Sequence, residues 1–324
     1  LKLLVTGGAG FIGSNFVRYF LKNYKEDKLV NLDKLTYAGN LESLKDIESN
    51  PSYRFVKGDI EDADFVTDLF RAEKFDAVIN FAAESHVDRS IEDPAVFLTT
   101  NIQGTYNLLQ ASRESKISRF IQISTDEVYG SLGPEGFFTE ESIIQPNSPY
   151  AASKASADLI CRSFFETYSF PVLITRCCNN FGPYQFPEKL IPLFITNLME
   201  DISVPIYGDG MNVRDWIHVV DHCSAIDAVF KNGKPGEVYN VGAWQEKTNL
   251  EITDILLKEL GKPDSLKKYV KDRLGHDRRY AIDSTKIEKE CNWKPKFNFN
   301  QAIVNSIEWY RENEQWWRPL KSTS

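Results

Sequence analysis

Residues 2–13 read KLLVTGGAGFIG: a short apolar strand runs straight into Gly7, Gly10 and Gly13 and then into a helix. The helix is marked by Phe16, Tyr19, Phe20 and Tyr24, which share one face of SNFVRYFLKNY. A strand that turns directly into a helix over residues lacking a Cβ brings the backbone very close to itself or to a bound group. The same alternation continues downstream. KLVNLD, YRFVKGD, DAVINFAA, RFIQIST and PVLITR read as further strands, and DFVTDLFRAEK, NIQGTYNLLQASRES and residues 150–168 read as helices. Strands alternating with helices at this spacing predict an α/β fold, a Rossmann-type doubly wound parallel sheet covered on both faces.

After residue 176 the rhythm breaks into the Pro- and Gly-rich stretches FGPYQFPEKLIP and VPIYGDGMNVRD. Amphipathic helices follow around 220–231, 249–260 and 300–313, with short strands between. The expectation is a cofactor domain over 1–176, carrying the catalytic residues, and a smaller mixed α/β C-terminal lobe over 177–324 that mainly binds substrate. Trp316 and Trp317, near the end of the chain, are expected to pack. The 38 Lys and Arg against 46 Asp and Glu, for a net charge of −8, argue against nucleic acid or an anionic membrane as partner. A small anionic ligand needs only a few local cations and stays open. No apolar run approaches the ~20 residues of a membrane span. No signal peptide is visible, and the cytoplasm is the expected compartment. The five cysteines, 161, 177, 178, 223 and 291, show no metal-ligand spacing and read as reduced thiols; no metal is expected.

Asp33 lies 20 residues past Gly13, at the end of the second strand. A carboxylate there accepts from ribose hydroxyls and repels a 2′-phosphate, so the expected cofactor is NAD rather than NADP. The plainer alternative, a strand-capping Asp beside a structural glycine turn, loses weight in this context. Asp59-Ile60, ending the third strand, are placed at the adenine, and Phe81-Ala82-Ala83, ending the fourth, along the cofactor. Tyr150 and Lys154 are i and i+4 and share a helix face. A phenol titrates near 10, and a nearby ammonium favours phenolate, so Lys154 is expected to lower the Tyr150 pKa as well as hold a ribose. Thr125, ending the fifth strand, is placed to bond a substrate hydroxyl. Asp126 and Glu127 follow at once in STDEVYG. They are either a solvated strand end or two carboxylates aimed at a substrate.

The stretches VTGGAGFIGSNF, NLDKLTYAGN, FAAESHVDRSI, STDEVYGSLG, PNSPYAASKA, TRCCNNFGPYQFPEKLIP, YGDGMNVRDWIHV and DRLGHDRRYAID, in this order over nearly the whole chain, resemble the extended short-chain dehydrogenases. Within that NAD-dependent epimerase/dehydratase family, the likeness is to the nucleotide-sugar 4,6-dehydratases. The resemblance implies a substrate, dTDP-glucose, that is oxidised at carbon 4, loses water across carbons 5 and 6, and is reduced at carbon 6. It makes Glu127 the base and Asp126 the acid of the elimination, with NAD retained throughout. It adds Phe11, Ile12, Lys34, Thr100 and Asn180 to the cofactor residues. It places Ser85, Asn179, Leu190, Pro205, Tyr207, Asn249 and His276 at the substrate, with Lys189, Arg214 and Arg273 on its phosphates. Pairing through the helices over 101–115 and 150–168 into a homodimer is implied too, although their apolar residues are equally explained by packing on the sheet. The sequence departs from the family pattern at Cys178 and Leu274. A UDP- or CDP-glucose dehydratase, an epimerase and a non-catalytic NAD-binding regulator are the competing readings.

Overall fold

A computed structural model describes residues 1–321. The predicted strands form β1 (Lys2–Thr6), β2 (Lys28–Asp33), β3 (Tyr53–Lys57), β4 (Ala77–Asn80), β5 (Arg119–Thr125) and β6 (Val172–Cys177). Further along come β7 (Asn179–Phe181), β8 (Val204–Tyr207), β9 (Val213–His218), β10 (Val238–Val241), β11 (Glu246–Thr248) and β12 (Lys267–Val270). The main sheet has seven strands in the order β10-β6-β5-β4-β1-β2-β3, all parallel. β4 and β6 are buried along their whole length, as expected of strands covered on both faces. β1 pairs with β2 on one side and β4 on the other, so the chain leaves the two strands in opposite directions and a crevice opens there.

The covering helices in chain order are α1 (Phe11–Asn23), α2 (Ala63–Glu73), α3 (Val87–Glu92), α4 (Ala95–Phe97), α5 (Thr105–Glu114), α6 (Pro149–Tyr168), α7 (Leu190–Met199), α8 (Val219–Asn232), α9 (Asn249–Leu260), α10 (Thr285–Cys291), α11 (Phe299–Glu312) and α12 (Glu314–Lys321). One face of the sheet is packed by Phe16, Val17 and Phe20 of α1 with Ile226 and Val229 of α8. The other is packed by Val66 and Leu69 of α2, Leu108 and Leu109 of α5, and Cys161 and Phe164 of α6. A third core, built from Ile191, Phe194, Trp216, Ile252, Leu256, Ile303 and Trp317, holds the smaller β11-β9-β7 sheet among α7, α9 and α11. Trp317 is fully buried and its indole donates to Tyr310 O at 2.7 Å. Trp316 reaches Ser43 Oγ at 3.1 Å, so the aromatic tail packs as expected.

Four sequence expectations need correcting. The fourth strand does not reach Ala83, because ladder pairing ends at Asn80 and Phe81–Ala83 turn away over the crevice. The helix expected from 101 is π-helical over Leu98–Gly104 and becomes α only at Thr105. Its wider turns let Asn101 reach Glu84 N and O, at 2.8 and 3.0 Å, and Ser153 Oγ at 2.8 Å. Helix α7 grows from a stretch read as loop, since LIPLFITNLM is apolar on nearly every side and carries Pro192 in its first turn, where proline is tolerated. The main sheet gains a seventh strand, β10, from residues far beyond 176.

The glycine turn is strained backbone that only glycine fits. Gly7 sits at φ +69°, and a Cβ there would lie 2.6 Å from Ala82 N. A Cβ on Gly13 would press on Gly7 O and lie 2.8 Å from Gly8 Cα. Gly13→Ala should therefore cost about 1–3 kcal/mol of stability through overpacking. Gly133→Ala, on an exposed loop with nothing within 4 Å of its Cβ position, should stay within about 0.5 kcal/mol of the parent in the same denaturant titration.

Candidate active site

A cleft runs across the carboxyl ends of β1 to β6. Its walls include Gly7, Gly10, Phe11, Ile12, Gly13, Asp33, Lys34, Asp59, Ile60, Phe81, Ala82, Ala83, Thr100, Tyr150, Lys154 and Asn180. Ser85, Thr125, Asp126, Glu127, Asn179 and Lys189 line it as well. Gly10 borders the cleft, and a Cβ on it would meet Gly7 O at 3.4 Å and nothing else within 4 Å. The bare backbone there admits a pyrophosphate at the start of α1, where free N–H groups favour an anion. Asp33 holds the surrounding turn: Oδ2 accepts from Ala9 N at 2.9 Å and Oδ1 from Leu35 N at 2.8 Å. Burial raises its pKa and these two bonds pull it back. Lys34 pairs with Asp59 at 2.6 Å and Glu61 at 3.3 Å. The residues present therefore fit a dinucleotide with free ribose hydroxyls.

At the other end of the cleft, Ser148 caps α6 by accepting from Ala151 N at 3.1 Å, and Pro149 opens its first turn. This holds Tyr150 and Lys154 under the end of β5. Lys154 Nζ donates to Ile123 O at 2.6 Å, and burial lowers its pKa. The Tyr150 pKa is pushed well above its ordinary value, first by burial and then by its acidic neighbours Glu127, Cys177 and Asp126; a hydrogen bond with Thr125 opposes the rise. This overturns the expected lowering by Lys154. Desolvation and the acidic surroundings outweigh the Lys154 ammonium, which is hydrogen-bonded to the Ile123 carbonyl.

Thr125 caps a short 3₁₀ turn, Asp126–Tyr129, by accepting from Glu127 N at 3.3 Å and donating to Asp126 Oδ1 at 3.3 Å. Asp126 is 1 % exposed, and its Oδ2 has no hydrogen-bond partner among the described residues. Burial drives its pKa well above the carboxylate range, helped by Glu127, with Arg214 opposing. Glu127 is also raised by burial, but Arg214, Lys189 and Arg273 all pull it down. The two neighbours thus differ in how far they are pushed: burial and Glu127 drive Asp126 strongly toward its acid form, while three cations oppose the rise of Glu127.

Seven of the sequence candidates stand outside this cleft wall. Arg273 donates to Asp88 Oδ2 at 3.1 Å and packs 5.0 Å from the Tyr207 ring centroid, while His276 pairs with Asp272 at 2.6 Å. Arg214 lies 4.2 Å from the Tyr280 ring centroid and donates to Val213 O and Asp277 O. Leu190 and Asn249 begin α7 and α9, and Pro205 lies in β8 beside Lys268. Leu274 is 74 % exposed.

Other residues went unread in the sequence. Tyr37 donates to Glu188 Oε1 at 3.1 Å beneath the Arg89 guanidinium, 3.5 Å from its ring, which ties the loop after β2 to the loop before α7. His86 caps α3, accepting from Arg89 N at 3.4 Å. Buried His222 lies 2.9 Å from Asn180 Oδ1. Because the Asn180 amide donates to Cys178 O at 3.0 Å, Oδ1 must accept, so His222 carries its proton on Nδ1. Only folding brings these distant residues together. Among the described residues no cluster of His, Cys, Asp or Glu is arranged for a metal, and no helix is long and apolar enough to cross a membrane.

The sequence profile of the GDP-mannose 4,6 dehydratase family matches residues 4–305. A dTDP-glucose 4,6-dehydratase of Streptomyces niveus is 50% identical over 326 residues, covering 99% of this chain and 96% of its own. Among solved structures, DesIV, a dTDP-glucose 4,6-dehydratase of Streptomyces venezuelae crystallised with NAD, superposes with a TM-score of 0.96 at 51% identity over 99% of this chain and 100% of its own. The dTDP-glucose 4,6-dehydratase of Bacillus anthracis, also with NAD, gives 0.93 at 50% identity over 99% of each chain. With its glycine turn, its Tyr-Lys helix and these full-length likenesses, the chain belongs to the GDP-mannose 4,6 dehydratase family of NAD-dependent epimerases and dehydratases.

Proposed function

We propose that this protein is a dTDP-glucose 4,6-dehydratase, a hydro-lyase that forms the 4-keto-6-deoxy sugar nucleotide. The observation that carries the reading is the adjacent pair of carboxyls, Asp126 and Glu127, of which one is faced by three cations and the other is not, beside Tyr150 and Lys154. An epimerase or simple dehydrogenase has no use for a second acid–base pair, while an elimination needs both. The full-length relatives that bear this name support it.

Residues 1–176 would chiefly hold NAD, and 177–324 mainly the nucleotide sugar. Asp33 takes the adenosine ribose, the Gly7–Gly13 turn the pyrophosphate, and Lys154 with Asn180 the nicotinamide half. Bound NAD supplies the hydride acceptor at carbon 4 and the donor at carbon 6. Thr125 orients the sugar, and the Tyr150 oxygen takes the proton of its 4-hydroxyl. Because Asp126 stays protonated, only Glu127 adds a full negative charge beside that phenol. Once carbon 4 is a ketone, the proton on carbon 5 is acidic; Glu127 removes it and Asp126 protonates the departing 6-hydroxyl. Lys189, Arg214 and Arg273 are the candidate diphosphate partners, with Ser85, Asn179, Leu190, Pro205, Tyr207, Asn249 and His276 completing the substrate wall. A homodimer through α5 and α6 accounts for the exposed Leu98, Tyr106, Leu159 and Tyr168.

The test is mass spectrometry of purified protein mixed with dTDP-glucose and no added NAD. Loss of one water, with UDP-glucose left largely unconverted, is the expected outcome. No conversion of any nucleotide sugar, even with NAD added, would sink the reading. Glu127→Gln should keep its NAD, slow turnover by ~10²–10⁴-fold and accumulate the near-ultraviolet absorbance of reduced nicotinamide. Tyr150→Phe should lose turnover with no such accumulation; wild-type dehydration by Glu127→Gln would remove that residue from its role. Glu127 must be ionised to act; burial raises its pKa, and the Arg214 guanidinium limits that rise. Arg214→Met should therefore move the acid limb of the kcat–pH profile to higher pH, and an unmoved limb would deny that pairing.

A further inference from the structure

Behind the cleft lies a buried ionic network that none of the chemistry above uses. Asp158, on α6 one turn beyond Lys154, is 1 % exposed; Arg176, on β6, is 4 % exposed. Arg176 Nε donates to Asp158 Oδ2 at 2.9 Å, and its Nη1 donates to Tyr129 Oη at 3.0 Å. Tyr129 ends the 3₁₀ turn that carries Asp126 and Glu127, and its hydroxyl donates to Asn240 Oδ1 on β10 at 2.8 Å. The Asn240 backbone N–H in turn donates to Glu140 Oε1 at 2.8 Å. None of Asp158, Arg176 and Tyr129 lines the cleft.

An ion pair buried this deeply is a poor source of stability, because apolar side chains of the same volume hold a core as well without the desolvation cost. The pair therefore calls for another use, and its connections indicate one. It joins the helix that presents Tyr150 and Lys154 to the turn that presents the two carboxyls. We propose that Asp158 and Arg176 are positioning residues: through Tyr129 they fix the carboxyl turn against the Tyr-Lys helix, and the Asp158 carboxylate holds the Lys154 ammonium in its charged form. This rests on the roles given above to Lys154 and Glu127.

Asp158 and Lys154 stand one helical turn apart on α6, and both are buried. Asp158 Oδ1 has no hydrogen-bond partner among the described residues, so its charge is only partly spent on Arg176. Lys154 is 4 % exposed and would lose its proton readily in such a place. The groups that act on its titration are Asp158 and Cys161 from α6 and Cys177 from β6. Both thiols are held protonated by burial, so Asp158 is the only one of the three that bears a charge. The tie also has a geometric role. Carboxyls that must act in sequence on adjacent carbons of a sugar bound beside Tyr150 cannot shift relative to it, and a misplacement of about 1 Å can cost ~10²-fold in rate.

The experiment compares the NAD-loaded wild type with Asp158→Asn, which keeps an acceptor for Arg176 and removes the charge. The ε-carbon of ¹³C-labelled Lys154, assigned by its loss in Lys154→Arg, is titrated by NMR with no substrate present. The midpoint is expected to fall, because a neutral neighbour no longer favours the ammonium. In turnover, the alkaline limb of the kcat–pH profile should move to lower pH, as Lys154 loses its proton earlier. An unchanged NMR midpoint overturns the electrostatic role whatever the substrate proves to be. A fallen midpoint with no conversion of dTDP-glucose by the wild type keeps that role and rejects the substrate reading instead. Tyr129→Phe tests the tie separately, and serves also if Asp158→Asn does not fold. It should leave the Lys154 midpoint in place and cut turnover roughly tenfold or more, with reduced cofactor accumulating as in Glu127→Gln. Wild-type turnover by Tyr129→Phe overturns the positioning role.

Discussion

The parallel pairing of β1 with both β2 and β4 is the constraint from which the site follows. The sheet grows outward from β1 in two directions, to β2 and β3 on one side and to β4, β5 and β6 on the other, and right-handed crossovers then carry the connections to opposite faces. The loops then part above it, and the carboxyl ends of six strands look into the opening. Much of the site stands at those ends: the glycine turn after β1, Asp33 closing β2, Phe81–Ala83 after β4, and Thr125 through Glu127 after β5, with Tyr150 and Lys154 brought up by α6. The close approach of Gly7 to the backbone of Ala82 is the same constraint at atomic scale, since it is the crossing point of the β1 and β4 exits.

Within that opening, loss of water sets the character of every ionisable group. Burial alone pushes Asp126, Glu127, Tyr150 and Lys154 toward their neutral forms. What distinguishes them is what each faces. Arg214, Lys189 and Arg273 give Glu127 a field that Asp126 shares only through Arg214. Two chemically similar side chains, adjacent in the chain, therefore differ in proton affinity because of their surroundings rather than their own chemistry.

Much of this was legible in the sequence because it is local. A strand, a glycine triplet and a helix are neighbours in the chain, and so are Thr125, Asp126 and Glu127; Tyr150 and Lys154 are one helical turn apart. Periodicity placed β1 to β6, α1, α2 and α6 with few errors for the same reason. What stayed hidden depends on distance or on context. Helix α7 is apolar all round and has no amphipathic stripe to read. The π-helical turns over Leu98–Gly104 leave no periodic trace that a short window distinguishes from α. The pairing of Tyr37 with Glu188 and of His222 with Asn180 joins residues 151 and 42 positions apart. The Tyr150 titration was misjudged because a helix face shows Lys154 beside it and does not show the carboxyls that folding brings up from β5.

The seventh strand has a consequence for how the chain comes into being. β6 is buried along its full length, and β10 supplies its outer partner by pairing Val238 through Val241 with Ile174 through Cys177. Until residue 241 has left the ribosome, β6 is an unprotected edge of apolar residues with free backbone donors and acceptors, the kind of surface that recruits strands from other chains. The N-terminal half alone therefore lacks the outer strand of its sheet, and the nascent chain passes through an interval, more than sixty residues long, in which the main sheet is open at β6.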